Sequence, residues 1–232
     1  MFFKVDKAIF QNFPGLVIGV VAAKDIDNSQ DSGAASFLKN QVKIIRKEWS
    51  YERIESDLRI FSWREAYRSF KAKPKKYKCS VENMYTMILN GLELHSINNI
   101  VDIYNAVSLK HNIPAGGDDI DKIEGDILLT YAEGSERFIP LNGIHSIFPK
   151  PGEVIYRDAE DVLCRRWNWR ECEKSKMTEK SKNICLVVEG LPPVTREEVE
   201  QITTELAGEI KRFCGGSTAV HFVDSENPSV QI

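Results

Sequence analysis

The chain has 232 residues, of which 42% are hydrophobic and 9% aromatic, so it is long enough to bury one sizeable core. Its formal net charge of −3 argues against a protein that coats nucleic acid through bulk positive charge, although a local basic face remains compatible with RNA binding. Because no long low-complexity linker or internal repeat divides it, we expect residues 1–232 to form a single domain.

The hydrophobic pattern predicts helices and short strands in alternation. Strands are predicted at residues 16–21, 97–104, 126–131, 137–140, 154–158, 184–189 and 218–224. Helices are predicted over residues 34–55, after capping boxes at 62–65 and 195–198, and from Ser80 to Asn90-Gly91. This mixture predicts an α/β (α+β) fold in which a mixed, largely antiparallel sheet packs against helices.

The five cysteines form no C-x-x-C pair and no metal-ligand pattern with the four histidines, which predicts reduced thiols and no bound metal. The apolar stretch 13–23 contains Pro14 and Gly15 and follows Asp6, so it predicts a buried strand and not a signal peptide. No stretch reaches the roughly 20 apolar residues that span a bilayer. We therefore expect a cytoplasmic protein without a membrane partner or a cofactor.

The most informative stretch runs from residue 97 to residue 127. A strand-like segment, 97–104, leads into Asn105, and a turn over 115–118 contains Gly116 and Gly117. Glycine lets a ligand approach the backbone closely, and backbone N–H groups stabilise developing negative charge. A glycine pair beside acidic residues is equally typical of an ordinary turn.

The order of these residues resembles the tRNA-editing domain of the phenylalanyl-tRNA synthetase β subunit. The matching positions are Val101, Asp102, Asn105, Val107, Pro114, Asp121, Lys122 and Ile123. Segment 184–193 is similar to the family's later strand, which delivers a glutamate to the pocket, here Glu189. The segment Trp167-Asn168-Trp169-Arg170 resembles one in free-standing members. The resemblance covers roughly residues 77–216.

The resemblance implies a free-standing editing domain that hydrolyses mischarged aminoacyl-tRNA in trans and has no ligase activity of its own. The implied catalytic residues are Asn105, Gly116 and Gly117, and the implied substrate-binding residues are Tyr104, Ala115, Asp118 and Glu189. Asn105 would orient the water, the 115–118 turn would bind the ester carbonyl, and Glu189 would select the amino acid through a buried hydrogen bond.

Three positions leave alternatives open. Gly116 stands where the family has a histidine, so that role is not carried over, and His111 and His145 are possible substitutes. From the residues alone, Asn105 is also a plausible strand-end cap, and Glu189 a solvated acid. The alternative function is a non-catalytic module of the same fold that binds tRNA or senses an amino acid.

Two basic tracts are candidates for contact with tRNA, whose aminoacylated 3′ end is the expected partner. The tract 68–78 interleaves cations with aromatic residues, which suits contact with a phosphate backbone. A second tract packs arginines beside Trp167 and Trp169. The predicted RNA-binding residues are Lys73, Lys75, Lys76, Lys78, Arg165 and Arg166. Charge runs are also typical of solvated surfaces.

Overall fold

The computed structural model of the chain describes residues 1–29 and 32–232. The helices are α1 (Lys7–Asn12), α2 (Ala34–Glu48), α3 (Tyr51–Ser56), α4 (Leu58–Ser69), α5 (Ser80–Leu89), α6 (Asn99–His111) and α7 (Arg196–Cys214). The strands are β1 (Phe2–Val5), β2 (Val17–Lys24), β3 (Ala115–Asp119), β4 (Ile127–Tyr131), β5 (Val154–Arg157), β6 (Val162–Arg165), β7 (Arg170–Glu171), β8 (Ile184–Gly190), β9 (Ser217–Val223) and β10 (Ser229–Gln231).

The strands form two sheets. The larger has the order β10-β1-β4-β5-β6-β7, and the smaller has the order β3-β8-β2-β9. The ladder between β1 and β4 is parallel, whereas the other ladders between described strands are antiparallel. The predicted α+β class with a mixed, largely antiparallel arrangement is confirmed.

The central strands β2 and β8 are buried on both faces. Val20 and Val187 face a core shared with the larger sheet. Their neighbours Val21 and Leu186 face a second core, formed with α6 and α7. Because both faces are covered, these strands consist of nearly continuous apolar residues without polar alternation. This sandwich of the smaller sheet between helices and the larger sheet positions the site described below.

The predicted capping box at 195–198 is confirmed at the start of α7. The Thr195 hydroxyl accepts from the Glu198 N–H at 3.2 Å, and the Glu198 carboxylate accepts from the Thr195 N–H at 2.9 Å. The apolar stripe of α7 packs on the smaller sheet, and the helix ends at Gly215 as expected. Local capping and periodicity therefore predicted this element correctly.

The predicted strand 97–104 is wrong, because this segment begins helix α6. The Asn98 side chain caps the helix by accepting from the Val101 N–H at 3.1 Å, and Asn112 ends it in a left-handed conformation. Ile100, Ile103 and Val107 lie on one buried side, at helical spacing. The β-branched residues favour a strand locally, but packing against α2 and α7 outweighs that preference.

Three smaller predictions also differ from the structure. Residues 34–55 are two helices, because Ser50 starts a new one with its own side-chain cap. The helix expected after a Ser62 capping box begins earlier, at an Asp57 cap, while Ser62 donates to the Pro192 carbonyl. Residues 137–140 form only isolated bridges. In each case a competing cap or a distant partner determines where the element begins.

Candidate functional site

A small cavity lies between the two sheets. Strands β3 and β8 form one wall, while β5, β6 and the turn after β6 form the opposite wall. Apolar surface comes from Phe3, Ile127 and Val187, and polar groups converge from both walls. A concave site with apolar lining and a few convergent polar groups is typical of small-molecule binding.

Two glycines bring the backbone of β3 to this cavity. A Cβ atom at Gly117 would lie 2.0 Å from the Cys185 carbonyl oxygen, so only glycine fits there. A Cβ at Gly116 would lie 3.3 Å from Oε1 of Glu171 on the opposite wall. The predicted turn over 115–118 is instead an edge strand, but the expected close approach to the backbone is present.

The ladder geometry directs the Gly117 N–H towards the open edge of the sheet. The Glu189 N–H donates to the Pro114 carbonyl at 3.0 Å, which places alternate residues of this segment in hydrogen bonds with β8. The Asp119 N–H points the other way and donates to the Ser175 carbonyl at 2.9 Å. Because Gly117 shares the direction of Asp119, its N–H is available to a molecule at this edge.

Glu189 is enclosed by hydrogen-bond donors. It is 1% exposed, and its Oε1 accepts from the Tyr156 hydroxyl at 2.6 Å and from the Trp167 indole N–H at 2.7 Å. Its Oε2 accepts from the Asn168 amide at 2.7 Å, and Tyr67 donates to Asn168 at 2.9 Å. Since a carboxylate has about four acceptor positions, one remains for a ligand.

Burial raises the pKa of Glu189 to about 7, while the hydrogen bonds from Tyr156, Asn168 and Trp167 act in the opposite direction. The environment is apolar enough that removing the carboxylate from water outweighs three good donors. Glu189 therefore titrates near neutral pH in the folded protein. A carboxyl group held this way is more protonated at pH 7 than an ordinary glutamate.

Two further carboxyl groups line the same cavity. Asp118 accepts from the Ser175 hydroxyl at 2.5 Å, and burial, with the nearby charges of Asp158 and Asp119, raises its pKa to about 7. Burial also raises the pKa of Glu171 well above its ordinary value, assisted by the charges of Asp118 and Glu189. Three carboxyl groups with raised pKa values around one cavity are a typical sign of a functional site.

Residues 62–215 match the family model of the B3/4 domain. The chain belongs to the B3/4 domain family. It is 36% identical over 75 residues to the phenylalanine–tRNA ligase beta subunit of Fusobacterium nucleatum subsp. nucleatum, a match that covers 32% of this chain and 9% of that protein. The relationship to the phenylalanyl-tRNA synthetase β subunit, expected from the sequence, is confirmed.

Among solved structures, the chain resembles an N-terminal fragment of the phenylalanyl-tRNA synthetase β subunit from Pyrococcus horikoshii. The sequence identity is 16%, the TM-score is 0.47, and the match covers 92% of this chain and 49% of that chain. Because this TM-score is low, the likeness does not extend to the residues of the site.

The structure does not bring all of the predicted catalytic residues together. Gly116, Gly117, Asp118, Ala115 and Glu189 line the cavity, as expected. Asn105 does not line it, because the segment is helical and Asn105 lies on α6, half-buried. The predicted water-orienting role of Asn105 depended on a position at the end of a strand, whereas Asn105 lies within a helix.

Tyr104 also lies on α6 and not at a strand end. Burial raises the pKa of its phenol. The negative charges of Glu171 and Asp118 raise it further, so the phenol lies within electrostatic range of these carboxyl groups. It packs against the core between α6 and the smaller sheet. Tyr104 thus supports the cavity wall without lining the cavity.

Neither histidine suggested as a substitute reaches the cavity. His111 lies at the end of α6, with its Nε2 2.9 Å from the Glu205 carboxylate. His145 is exposed in the loop between β4 and β5. The lining, as far as the structure describes it, contains no histidine, and the carboxyl groups of Asp118 and Glu189 are the lining acids with a pKa of about 7.

The lysines of the first basic tract suit contact with a polyanion. Lys73, Lys75 and Lys76 are exposed in the segment between α4 and α5, and Lys78 is half-buried. The tract ends where Ser80, the first residue of α5, lines the cavity. These cations therefore lie a few residues along the chain from the cavity wall.

The predicted RNA-binding roles of Arg165 and Arg166 do not fit their surroundings. Arg165 is 5% exposed and makes a two-point ion pair with Glu153 at 2.8 and 2.9 Å. Arg166 is 7% exposed, with its guanidinium 3.8 Å from the centre of the Tyr77 ring and 4.5 Å from that of Trp169. Both cations already have partners inside the protein, as buried charges require.

Other cavity groups were not predicted from the sequence. Tyr156 and Asn168 act through their contact with Glu189, and Glu171 faces Gly116 across the cavity. They lie on β5, on the turn after β6 and on β7, and no motif spacing connects them. A signal was nevertheless present for Asn168, because it belongs to the Trp167-Asn168-Trp169-Arg170 segment noted for its resemblance.

The described part of the chain contains no group of three or more His, Cys, Asp and Glu side chains arranged to hold a metal ion. Its five cysteines are free and buried. Within residues 1–29 and 32–232, every helix is too short or too polar to cross a bilayer.

Proposed function

We propose that this B3/4 domain hydrolyses the ester bond of mischarged aminoacyl-tRNA without the rest of a synthetase. The observation that carries the proposal is the juxtaposition, in one cavity, of the Gly117 N–H, the Asp118 carboxyl group and Glu189. Family membership supports it, since the family resemblance is to an editing domain. The proposed substrate is made in the cytoplasm, where we expect the protein to act.

In the proposed reaction, water attacks the ester carbonyl carbon at the open edge of β3. Asp118, whose pKa of about 7 is near the working pH, takes the proton of the attacking water. The Gly117 N–H donates to the carbonyl oxygen as it becomes negative. The carbon–oxygen bond to the ribose then breaks, and the protonated Asp118 carboxyl group returns its proton to the leaving ribose oxygen. An aminoacyl ester is already activated, so positioning and one base are sufficient for this step.

We propose that the tRNA backbone lies along the exposed lysines of the tract 68–78. Lys73, Lys75 and Lys76 are exposed, and Lys78 leads into the helix whose first residue lines the cavity. Arg165 and Arg166 are not part of this surface, because each is held by Glu153 or by aromatic rings. The 3′ end would enter the cavity from this side.

The test is single-turnover deacylation of a panel of mischarged tRNAs by the purified chain, without ATP and with a chelator present. We expect at least one tRNA to lose its amino acid, and Asp118→Asn to slow this roughly a hundredfold or more. Asn still accepts from Ser175, so the local hydrogen bond persists. Asp121→Asn is the matched control, because Asp121 is exposed three positions further along.

If the panel binds but every tRNA keeps its amino acid, the hydrolase proposal fails. The non-catalytic binding module of the same fold then replaces it. A specific observation favours that module. The Glu189 carboxylate already accepts three hydrogen bonds from within the protein, which leaves fewer acceptor positions for a substrate. Equal rates for Asp118→Asn and Asp121→Asn would remove Asp118 from the reaction.

A further inference from the structure

We propose that Glu171 is the binding residue for a protonated amine of the amino acid held in this cavity, a site that determines which substrates are accepted. This inference rests on the proposed function for the identity of the ligand, an aminoacyl group. It does not rest on hydrolysis, because binding of an amine can be measured without an ester. The amine is either the α-ammonium group or the ammonium group of a side chain.

The cavity has acidic groups and, among its described lining residues, no lysine, arginine or histidine. Asp118 and Glu171 face it from the two walls, and Glu189 completes the set. Burying carboxyl groups together is unfavourable unless something cationic or a set of donors compensates. The nearby arginine Arg165 is turned to Glu153 and does not neutralise them.

Of the three carboxyl groups, Glu171 has the weakest donor among the described residues. Glu189 has three hydrogen bonds, and Asp118 has the Ser175 hydroxyl. For Glu171, the donor among the residues that the structure describes is the weakly donating thiol of Cys164. Its Oε1 also lies where a Cβ of residue 116 would touch it, so Gly116 leaves open the space in front of this carboxyl group.

An independent observation comes from Ser80. Its hydroxyl oxygen is buried, has no hydrogen-bond partner and lines the same cavity. Buried hydroxyl groups without partners are uncommon in folded proteins, and an enclosed one at a cavity indicates a missing ligand. A hydroxyl oxygen accepts hydrogen bonds from an ammonium group, which carries three donors and no acceptor.

The remaining lining also suits a cation attached to an apolar group. The aromatic rings of Phe3, Tyr156 and Trp167 border the cavity, and ring faces attract ammonium groups. Val187 and Ile127 offer apolar contact for the rest of an amino acid. Glu189 is the less suitable partner for the amine, because Tyr156 and Trp167 already occupy one of its oxygens.

Binding should release a proton. The groups facing Glu171 are Asp118 on β3, Glu189 on β8, the Cys164 thiol on β6 and the Tyr104 phenol on α6. Burial and the neighbouring carboxylates raise the pKa of Glu171. A bound ammonium group favours the carboxylate and lowers that pKa, so binding releases protons, and the affinity for an amine that stays charged should rise with pH.

The experiment measures binding of three small probes to the full chain by calorimetry. L-phenylalaninamide carries an α-ammonium group, Nα-acetyl-L-lysinamide carries only a side-chain ammonium group, and N-acetyl-L-phenylalaninamide carries neither. We expect one ammonium probe to bind at least tenfold more tightly than the uncharged probe, and the probe that binds identifies the source of the amine. Glu171→Gln should weaken that binding roughly tenfold or more, the scale of a hydrogen bond to a charged group.

Glu173→Gln is the matched control, since Glu173 lies two residues further along, pairs with Lys176 and does not line the cavity. It should leave binding unchanged, and a melting curve of each variant confirms folding. Proton release, measured in two buffers of different ionisation enthalpy, should fall in Glu171→Gln. Ser80→Ala should weaken binding in the same direction.

The proposal is overturned if no probe binds, if the uncharged probe binds as tightly, or if Glu171→Gln leaves affinity and proton release unchanged. Failure of the proposed function gives a different result, because the chain would then bind the ammonium probe through Glu171 and still leave every aminoacyl-tRNA intact.

Discussion

Glu189→Gln should change how the stability of this protein depends on pH. The substitution keeps the size of the side chain and removes its ionisable group. Glutamine can retain the hydrogen bonds: its oxygen accepts from Tyr156 and Trp167, and its amide faces Asn168. A flipped Asn168 amide then accepts from residue 189 and donates to the Tyr67 hydroxyl, which can accept. The substitution Glu189→Gln therefore removes the negative charge of residue 189 with little change in packing.

The magnitude follows from the pKa of Glu189, which burial raises from 4.5 to about 7. The folded state binds this proton more tightly than the unfolded state, so the stabilising effect of protonation is fully present below pH 4.5. It is lost as the pH rises through 7. A difference of about 2.5 pKa units corresponds to about 3 kcal/mol. Relative to Glu189→Gln, the wild-type protein should lose about this much stability between pH 4 and pH 8.

The assay is urea denaturation of both proteins at intervals from pH 4 to pH 8. Asp118 and Glu171 are present in both proteins, so the difference between the two free energies of unfolding reports Glu189 together with its charge interaction with Glu171. Glu173→Gln is the control, because pairing with Lys176 lowers the pKa of Glu173 where burial raises that of Glu189. A constant difference between wild type and Glu189→Gln across the range would refute the account of Glu189 as a buried, high-pKa acid.

Three further predictions concern the basic tracts and α7. Replacing Lys75 and Lys76 with alanine should weaken tRNA binding and reduce its salt dependence by up to about two units of slope, and an unchanged slope would exclude this tract from the interface. Arg165→Ala should cost up to about 3–5 kcal/mol in chemical denaturation, because it leaves the buried Glu153 with the more distant Arg166, at 3.5 Å, as its remaining cation, whereas the salt slope of a folded variant should not change. Thr195→Ala should destabilise the protein by about 1 kcal/mol through loss of the capping box, and an unchanged urea midpoint would contradict this.

Several features of this protein were predictable because their causes are local. The capping box at Thr195 and the apolar stripe after it need only neighbouring residues, and both are present in α7. The continuous apolar runs of β2 and β8 indicate strands covered on both faces, as observed. The order of residues around Gly116, Gly117 and Glu189 was also enough to indicate the family.

The segment after Ile97 shows where local preference is insufficient. Its β-branched residues favour a strand, yet the same residues supply apolar positions at helical spacing. Packing of α6 between α2 and α7 decides between these two conformations. The wrong strand prediction placed Asn105 at the cavity. In the structure Asn105 lies on a helix away from the cavity, because a helix and a strand direct the same side chain to different places.

The partners of the charged groups depend on tertiary structure alone. Arg165 looks like a surface cation in the sequence, but the fold buries it against Glu153, twelve residues earlier. Glu189 meets its donor Tyr156 across 33 positions of the chain, and only the packing of one sheet on the other brings them together. The sequence by itself determined the helix caps, the buried strands and the family, since these depend on short-range patterns. The tertiary structure decided which carboxyl groups are satisfied and which remain open, because desolvation and hydrogen bonding depend on neighbours that are distant in sequence.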